Sequence, residues 1–314
     1  MLQIRRFEEK AAEMYARGKI KGFLHLYIGQ EAVACGVISK LKPGDYIFSH
    51  YREHGHALAR GLDSKAVMAE LCGKATGVSK GLGGSMHIFD ASRRFMGGYA
   101  IVAGHMPLAC GTAFASKRLG TDDVTLCILG DGAVNEGAFH EALNLAAVWK
   151  LPVLFLCENN FYGMGTAAAR VSATTDVHKR VESYGIRTEK VDGMDVIEMA
   201  RRAEEALQYV RSGQGPFFLE AITYRFRGHS MADPELYRDK EEVEQWRQMD
   251  PIRTFSDALL SSGSLTQADI DALAQTVEEE IAAAAEFADE SPAPALDTIF
   301  DNIYAPSPLD NLGK

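Results

Sequence analysis

The stretch VTLCILGDGAVNEGAFHEALNLAAVWKLPVLFLCENN, residues 124–160, determines the fold. Near its two ends lie mostly apolar runs of strand length, 124–129 and 153–157, which are typical of strands buried on both faces. Between them, residues 136–150 carry apolar side chains at helical spacing. A strand, a helix and a second strand over this length predict a βαβ unit whose two strands are parallel.

Polar residues follow both predicted strands at the points where the strands end. In an open parallel sheet ligands bind beyond the carboxyl ends of the strands, so Asp131 and Asn160 should share one rim, whether or not the strands are neighbours. Their oxygens suit Mg²⁺, which usually takes further ligands from a phosphate. The main-chain amides of Gly132 and Ala133 precede the predicted helix and favour an anion. The sequence therefore predicts a metal with a phosphate or diphosphate.

Other elements are predicted outward from this centre. Helices are predicted from Ile4 to Gly18, from Gln30 to Leu41, from a Ser64 cap to Cys72, from Met106 to Leu119, from Asp195 to Ser212, and after a capping box at Thr266 and Asp269. A strand is predicted from Pro216 to Phe226. Residues 74–105 hold seven glycines and are predicted to be irregular and functional. The proline-bearing tail from Ser291 (Pro292, Pro294, Pro306, Pro308) is predicted to be extended.

The whole chain, residues 1–314, is predicted to form one α/β domain with a parallel sheet flanked by helices. The core covers about residues 20–230. Helical additions lie at both ends, and the C-terminal one covers about residues 240–314.

Composition limits the function classes. The net charge of -10 argues against nucleic acid, which needs clustered basic residues. No run approaches the roughly 20 apolar residues that cross a membrane, and the N-terminus lacks the apolar region of a signal peptide. The five cysteines show no C-x-x-C pair. They are expected to be free thiols in a reducing cytoplasm, with Cys127 and Cys157 buried.

Five motifs give the sequence a resemblance to a known family. They are GDGAVNEGAFHEALNLAAVWKLPVLFLCENNFYGMGT (130–166), HLYIGQEA (25–32), YREHGHALARG (51–61), GLGGSMHIF (81–89) and TYRFRGHSMADP (223–234). In their order along the chain they resemble the alpha subunits of thiamine-diphosphate-dependent 2-oxo acid dehydrogenases, the E1 alpha family, and above all its pyruvate dehydrogenase branch. The resemblance implies the thiamine-diphosphate-binding fold.

The resemblance implies a ligand set at the predicted rim. The side chains of Asp131 and Asn160 and the main-chain oxygen of Tyr162 would bind Mg²⁺. The amides of Gly132 and Ala133 would face the diphosphate of the cofactor.

Further cofactor contacts are implied outside this rim. Tyr51 and Arg52 would touch the cofactor, and the planar guanidinium of Arg52 suits phosphate oxygens. Val102 would lie near the aminopyrimidine ring. Ala100 stands where the family usually has glycine, so this contact departs from the family pattern.

Two histidines are assigned to the chemistry by the resemblance. His229 would line the channel to the thiazolium carbon and contact the cofactor, and His25 would face the substrate. A histidine that titrates near neutrality can hydrogen-bond an oxyanion or move a proton. His54 and His87 are given a supporting role. The remaining histidines are expected to be structural, namely His50, His56, His105, His140 and His178.

The implied reaction is the oxidative decarboxylation of pyruvate and transfer of the acetyl group to the lipoyl domain of an E2 acyltransferase. The family uses a glutamate from a second domain type, for which this chain is too short. A separate E1 beta subunit is therefore expected, in an alpha2beta2 heterotetramer, and the alpha chain alone should be inactive. Ser230 stands where mitochondrial relatives are phosphorylated, but an ordinary loop serine is the simpler interpretation.

Several alternatives stay open at this stage. GLGGSMHIF and GHSMADP are typical of the pyruvate and acetoin branches, so acetoin remains an alternative substrate and branched-chain 2-oxo acids a weaker one. A non-catalytic regulatory subunit of the same fold is opposed by the intact Asp131, Asn160, Arg52 and His229. A nicotinamide-binding Rossmann enzyme would need G-x-G-x-x-G directly after the first strand, which is not found there.

Overall fold

The computed structural model describes residues 1–301 and 303. Its strands are β1 Tyr46–His50, β2 Phe95–Tyr99, β3 Thr125–Gly130, β4 Val153–Asn159, β5 Tyr162–Gly163, β6 Thr166–Ala167, β7 Arg187–Asp192 and β8 Phe217–Ile222. Its α-helices are α1 Leu2–Ala16, α2 Glu31–Ile38, α3 His54–Ala59, α4 Ser64–Leu71, α5 Met106–Leu119, α6 Gly137–Val148, α7 Ala168–Val171, α8 Val177–Val181, α9 Val196–Arg211, α10 Lys240–Arg247, α11 Pro251–Ser261 and α12 Gln267–Glu290.

Six strands form one sheet in the order β2-β1-β3-β4-β8-β7, and every pairing is parallel. This confirms the predicted α/β fold. The sequence left open whether the strands before Asp131 and Asn160 are neighbours. They are hydrogen-bonded partners, with Gly130 opposite Glu158. The residues that follow them therefore leave the sheet side by side.

The sheet is covered on both faces. Leu154 and Leu156 of β4 belong to a core cluster on one face, and Phe155 and Cys157 belong to a second cluster on the other. Because side chains alternate along a strand, a strand between two cores must be apolar at every position. This is why β4 reads as a continuous apolar run.

The predicted element ends need several corrections. The second helix ends at Ile38 instead of Leu41, because Ser39 and Lys40 form a turn that the N–H of Leu41 closes on the carbonyl of Ile38. The last sheet strand ends at Ile222 instead of Phe226. Asp63, not Ser64, caps α4, since its carboxylate accepts the N–H of Lys65.

Two predicted helices agree closely with the structure. The helix from Met106 to Leu119 has the predicted bounds. The capping box of α12 is present, with Thr266 and Asp269 bonded reciprocally.

The segment 74–105 was predicted to be irregular. This prediction is wrong for residues 95–99, which form the edge strand β2. A buried carboxylate organises its glycine-rich part. Glu70 accepts the main-chain N–H groups of Ser79, Gly81, Gly83 and Gly84 at 2.7–3.0 Å. This loop is therefore held by a side chain from α4 instead of by a ladder of strand hydrogen bonds.

The C-terminal helix α12 packs on the sheet domain beside α4 and α1. Among its apolar side chains, Ile281, Ala284 and Ala288 are buried, whereas Leu273 is exposed. Pro306 and Pro308 of the predicted extended tail lie outside the described residues, and residues 296–300 form a short 3-10 turn. Among the described residues, no helix combines the length and apolar character that a membrane span requires.

Candidate active site

A cavity of about 720 Å³ opens at the carboxyl ends of β3 and β4. Every residue predicted for the site lines it, namely His25, Tyr51, Arg52, Ala100, Val102, Asp131, Gly132, Ala133, Asn160, Tyr162 and His229. These positions come from chain segments far apart in sequence. The fold therefore brings the whole predicted set to one place.

Three oxygens at the rim have only long hydrogen bonds among the described residues. Asp131, 5 % exposed, accepts the Asn160 N–H at 3.4 Å, and Asn160 Oδ1 accepts the Tyr162 N–H at 3.4 Å. The Tyr162 carbonyl accepts from Arg225 at 3.4 Å. Burial raises the pKa of Asp131 to about 6, against the opposing charge of Arg225. Weakly satisfied oxygens of this kind fit a divalent cation such as Mg²⁺.

The backbone after β3 differs from the prediction. Gly132 and Ala133 lie in a 3-10 turn, Asp131–Asn135, and α6 begins only at Gly137. The first N–H groups of such a turn have no hydrogen-bond partner within the turn. They can therefore still donate to an anion. A Cβ on Gly132 would lie 3.3 Å from the Cα of Gly163, so glycine permits the close approach of these two segments.

Two buried guanidinium groups face the same cavity, those of Arg52 and Arg225. Arg52 donates to the carbonyls of Leu26 and His229, at 2.8 and 2.9 Å, and Arg225 donates to the carbonyl of Met164 at 3.2 Å. Neither forms an ion pair with a carboxylate within the part of the chain that the structure describes. An unpaired buried charge is costly, so the pair is arranged for an anion.

The guanidinium of Arg52 already has hydrogen-bond partners within the chain. Two of its donors are already committed to main-chain carbonyls, and burial lowers its pKa to about 10 with the help of Arg225. Arg52 nevertheless stays charged at neutral pH.

Arg225 was missed by the sequence argument. It is 2 % exposed and stands three residues after the end of β8, on the same rim as Asp131 and Asn160. The signal was available, because a basic residue beyond a third parallel strand would share this rim. Because the strand was predicted to extend to Phe226, Arg225 was assigned to the strand and not to the rim.

The predicted histidines form an aromatic cluster with Tyr51. The ring centroids of His25 and Tyr51 are 4.6 Å apart, and those of His25 and His229 are 4.9 Å apart. Burial and the charge of Arg52 lower the pKa of His25 to about 2 and that of His229 to about 3. Both rings are therefore neutral and do not titrate near neutrality, contrary to the expectation from sequence.

The tautomer of His229 follows from its neighbour. Arg225 has no acceptor, so its Nη1 donates to Nδ1 of His229 at 3.1 Å. The proton of the neutral ring is then on Nε2. The loop is held from the other side, because Asp233 accepts the main-chain N–H of His229 at 2.6 Å.

A second missed feature of the cavity wall is the buried carboxylate of Glu158. It accepts from His50 Nε2 at 2.8 Å, from His56 Nε2 at 2.9 Å and from the hydroxyl of Tyr27. The two histidines and Glu158 lie close enough to share a metal ion. However, His50 Nδ1 accepts the N–H of Arg52 at 3.0 Å, so its Nε2 carries the proton and has no lone pair for a metal. The cluster is a hydrogen-bonded unit that holds Arg52.

Comparisons with known protein sequences identify the family of this chain. The sequence matches the dehydrogenase E1 component family over residues 1–297, and the chain belongs to this family. The family depends on thiamine diphosphate.

Individual relatives are similar over nearly the whole chain. A protein of Rickettsia prowazekii is 47% identical over 97% of this chain and 93% of its own length. One of Rhizobium meliloti is 47% identical over 96% of this chain and 87% of its own length. One of Porphyra purpurea is 45% identical over 97% of this chain and 91% of its own length. All three are named pyruvate dehydrogenase E1 component subunit alpha.

Proposed function

We propose that this chain is the alpha subunit of the E1 component of a pyruvate dehydrogenase. It acts in the oxidative decarboxylation of pyruvate, and it passes the acetyl group to the lipoyl domain of an E2 acyltransferase. The observation that carries the proposal is the pair of buried, unpaired guanidinium groups beside a set of weakly satisfied oxygens. Together they fit a metal-bound diphosphate. The names of the relatives favour pyruvate over acetoin and branched-chain substrates, and over a non-catalytic role.

Each group of wall residues has a place in this proposal. Asp131, Asn160 and the carbonyl of Tyr162 would hold Mg²⁺. The amides of Gly132 and Ala133 would bind the diphosphate.

The remaining wall residues hold the rest of the cofactor. Arg52 and Arg225 would neutralise the diphosphate, and Tyr51 would contact the cofactor. Ala100 and Val102, in the turn after β2, would lie near the aminopyrimidine ring.

The protein's share of the chemistry is positioning and hydrogen bonding. When bound, thiamine diphosphate supplies the nucleophilic carbon and the electron sink for loss of CO₂. His229 donates a hydrogen bond from Nε2 to charge that develops on the substrate oxygen, because its Nδ1 is occupied by Arg225. His25 is neutral and packs against His229, where it faces the 2-oxo acid.

The proposal includes a beta subunit in an alpha2beta2 assembly. Glu158 is a poor proton carrier, since three donors hold it ionised and its pKa is lowered. We propose that the acid-base glutamate comes from the partner chain, as the family resemblance implies. Large apolar side chains around the cavity support a partner surface, because Phe23, Ile101 and Met164 are each more than 60% exposed.

The proposal also places the enzyme in the cytoplasm. The free thiols of its five cysteines are in keeping with a reducing compartment.

Calorimetry with thiamine diphosphate and Mg²⁺ on the co-expressed alpha and beta chains tests this function. We expect saturable binding that requires Mg²⁺, and turnover of pyruvate well above that of acetoin or a branched-chain 2-oxo acid. The alpha chain alone should be inactive. Arg225→Met should weaken cofactor binding about 10- to 100-fold, because a charge-assisted contact to the diphosphate is lost. Absence of binding by the assembled wild type would reject the proposal.

A further inference from the structure

We infer that Gln30 is a positioning residue that sets the orientation of the Asn160 side-chain amide for cation binding. This inference rests on the proposed function. Gln30 directly precedes α2 and is fully buried. Its Oε1 accepts a hydrogen bond from Asn160 Nδ2 at 3.0 Å.

The orientation matters because the two ends of an asparagine amide are not equivalent. Oδ1 has lone pairs for a cation, whereas the NH₂ group has only donors. A half-turn of the Asn160 amide would exchange them and present hydrogens to the metal. The contact that Oδ1 makes with the Tyr162 N–H is long, at 3.4 Å. The shorter bond to Gln30 Oε1 therefore favours the orientation in which Asn160 Oδ1 faces the rim.

A packing role alone does not account for glutamine at this position. The Nε2 of Gln30 is buried and has no hydrogen-bond partner among the described residues. A buried donor without a partner destabilises the fold, so an apolar side chain would serve packing better. The hydrogen bond that Gln30 Oε1 accepts from Asn160 explains why the side chain is an amide.

The main chain at Gln30 does not depend on its side chain. Its N–H donates to the carbonyl of Tyr27, and its carbonyl accepts the N–H of Val33. Gln30→Met keeps the length of the side chain and these main-chain bonds, and it removes the acceptor together with an NH₂ group that has no partner among the described residues. This variant therefore isolates the proposed contact.

The experiment measures the Kd of Mg²⁺ at saturating thiamine diphosphate, by calorimetry on the assembled alpha and beta chains. Gln30→Met should raise the Kd of Mg²⁺ about 10-fold or more, as loss of an outer partner of a metal ligand typically does. Ile38→Val is the matched control on α2. It should lower the melting temperature of the metal-free protein and leave the Kd of Mg²⁺ unchanged.

A double-variant cycle separates orientation from general disturbance. In Asn160→Asp both ends of the side chain are oxygens, so no orientation needs to be fixed. Adding Gln30→Met to Asn160→Asp should then change the Kd of Mg²⁺ less than twofold. A wild-type Kd in Gln30→Met, or the same loss in the Asn160→Asp background, would overturn the inference. Failure of the wild type to bind Mg²⁺ with thiamine diphosphate would overturn the proposed function as well.

Discussion

Two regions line the same cavity but are held in different ways. The rim at residues 130–162 follows two hydrogen-bonded strands, so the sheet register itself places Asp131 beside Asn160. The glycine-rich segment 74–94 contributes Met86 to the cavity and is held by carboxylates from elsewhere in the chain, above all Glu70. One side of the cavity is therefore positioned by strand register, and the other by side-chain carboxylates that bind main-chain N–H groups.

If the rim serves function and the sheet alone provides stability, a substitution in the rim should abolish activity without unfolding the protein. Asp131→Asn should lower pyruvate turnover roughly a thousandfold, because several kcal/mol of metal stabilisation are lost. The melting temperature of the metal-free protein should stay the same or rise, since a buried carboxylate with only a long hydrogen bond is removed. Turnover of the assembled enzyme and a melting curve check both halves. A large drop in the melting temperature would show that the rim also stabilises the fold.

The glycine-rich segment should show the opposite behaviour. Glu70→Gln places an NH₂ group against two of the four N–H donors and should lower the free energy of unfolding by about 3 kcal/mol. Urea unfolding measures this, and limited proteolysis should find new cleavage near residues 77–84. Glu286→Gln, on the exposed face of α12, is the control and should change stability by less than about 0.5 kcal/mol. Equal effects of the two changes would contradict the role of Glu70.

A smaller and pH-dependent effect is expected at Glu53, which accepts the N–H of Ile88 and anchors the far end of the same segment. Burial raises the pKa of Glu53 from 4.5 to about 7. The folded state then holds a proton that the unfolded chain releases, so the contribution of Glu53 to stability falls as pH rises from 4.5 to 7. Glu53→Gln should remove this dependence and stabilise the protein by roughly 1–2 kcal/mol at pH 7.5, with little effect at pH 4.5. Unfolding free energies at the two pH values give the difference, and a constant difference would refute it.

The sequence predicted the rim well because its signals are local. The strands before Asp131 and Asn160, the helix between them and the capping box at Thr266 all follow from residues a few positions apart. The family resemblance added Tyr51, Val102 and the histidines, which no local pattern could bring together.

The features that were missed depend on tertiary contacts that no periodic sequence pattern indicates. Glu70 lies 9–14 positions from its donors, and Glu158 lies 108 positions from His50. The strand β2 was not predicted because Gly97 and Gly98 interrupt its apolar pattern. The low pKa values of the histidines depend on burial and on neighbouring arginines, which only three-dimensional packing creates.

The carbonyl contacts of Arg52 have a mechanical consequence for substrate binding. One guanidinium bonds the main chain of Leu26, next to His25, and that of His229 itself. The two segments that carry these rings are thereby fastened to each other and to the turn of Tyr51. Separation of the two segments would break a hydrogen bond to Arg52, so this guanidinium couples the positions of the two imidazoles that face the cavity.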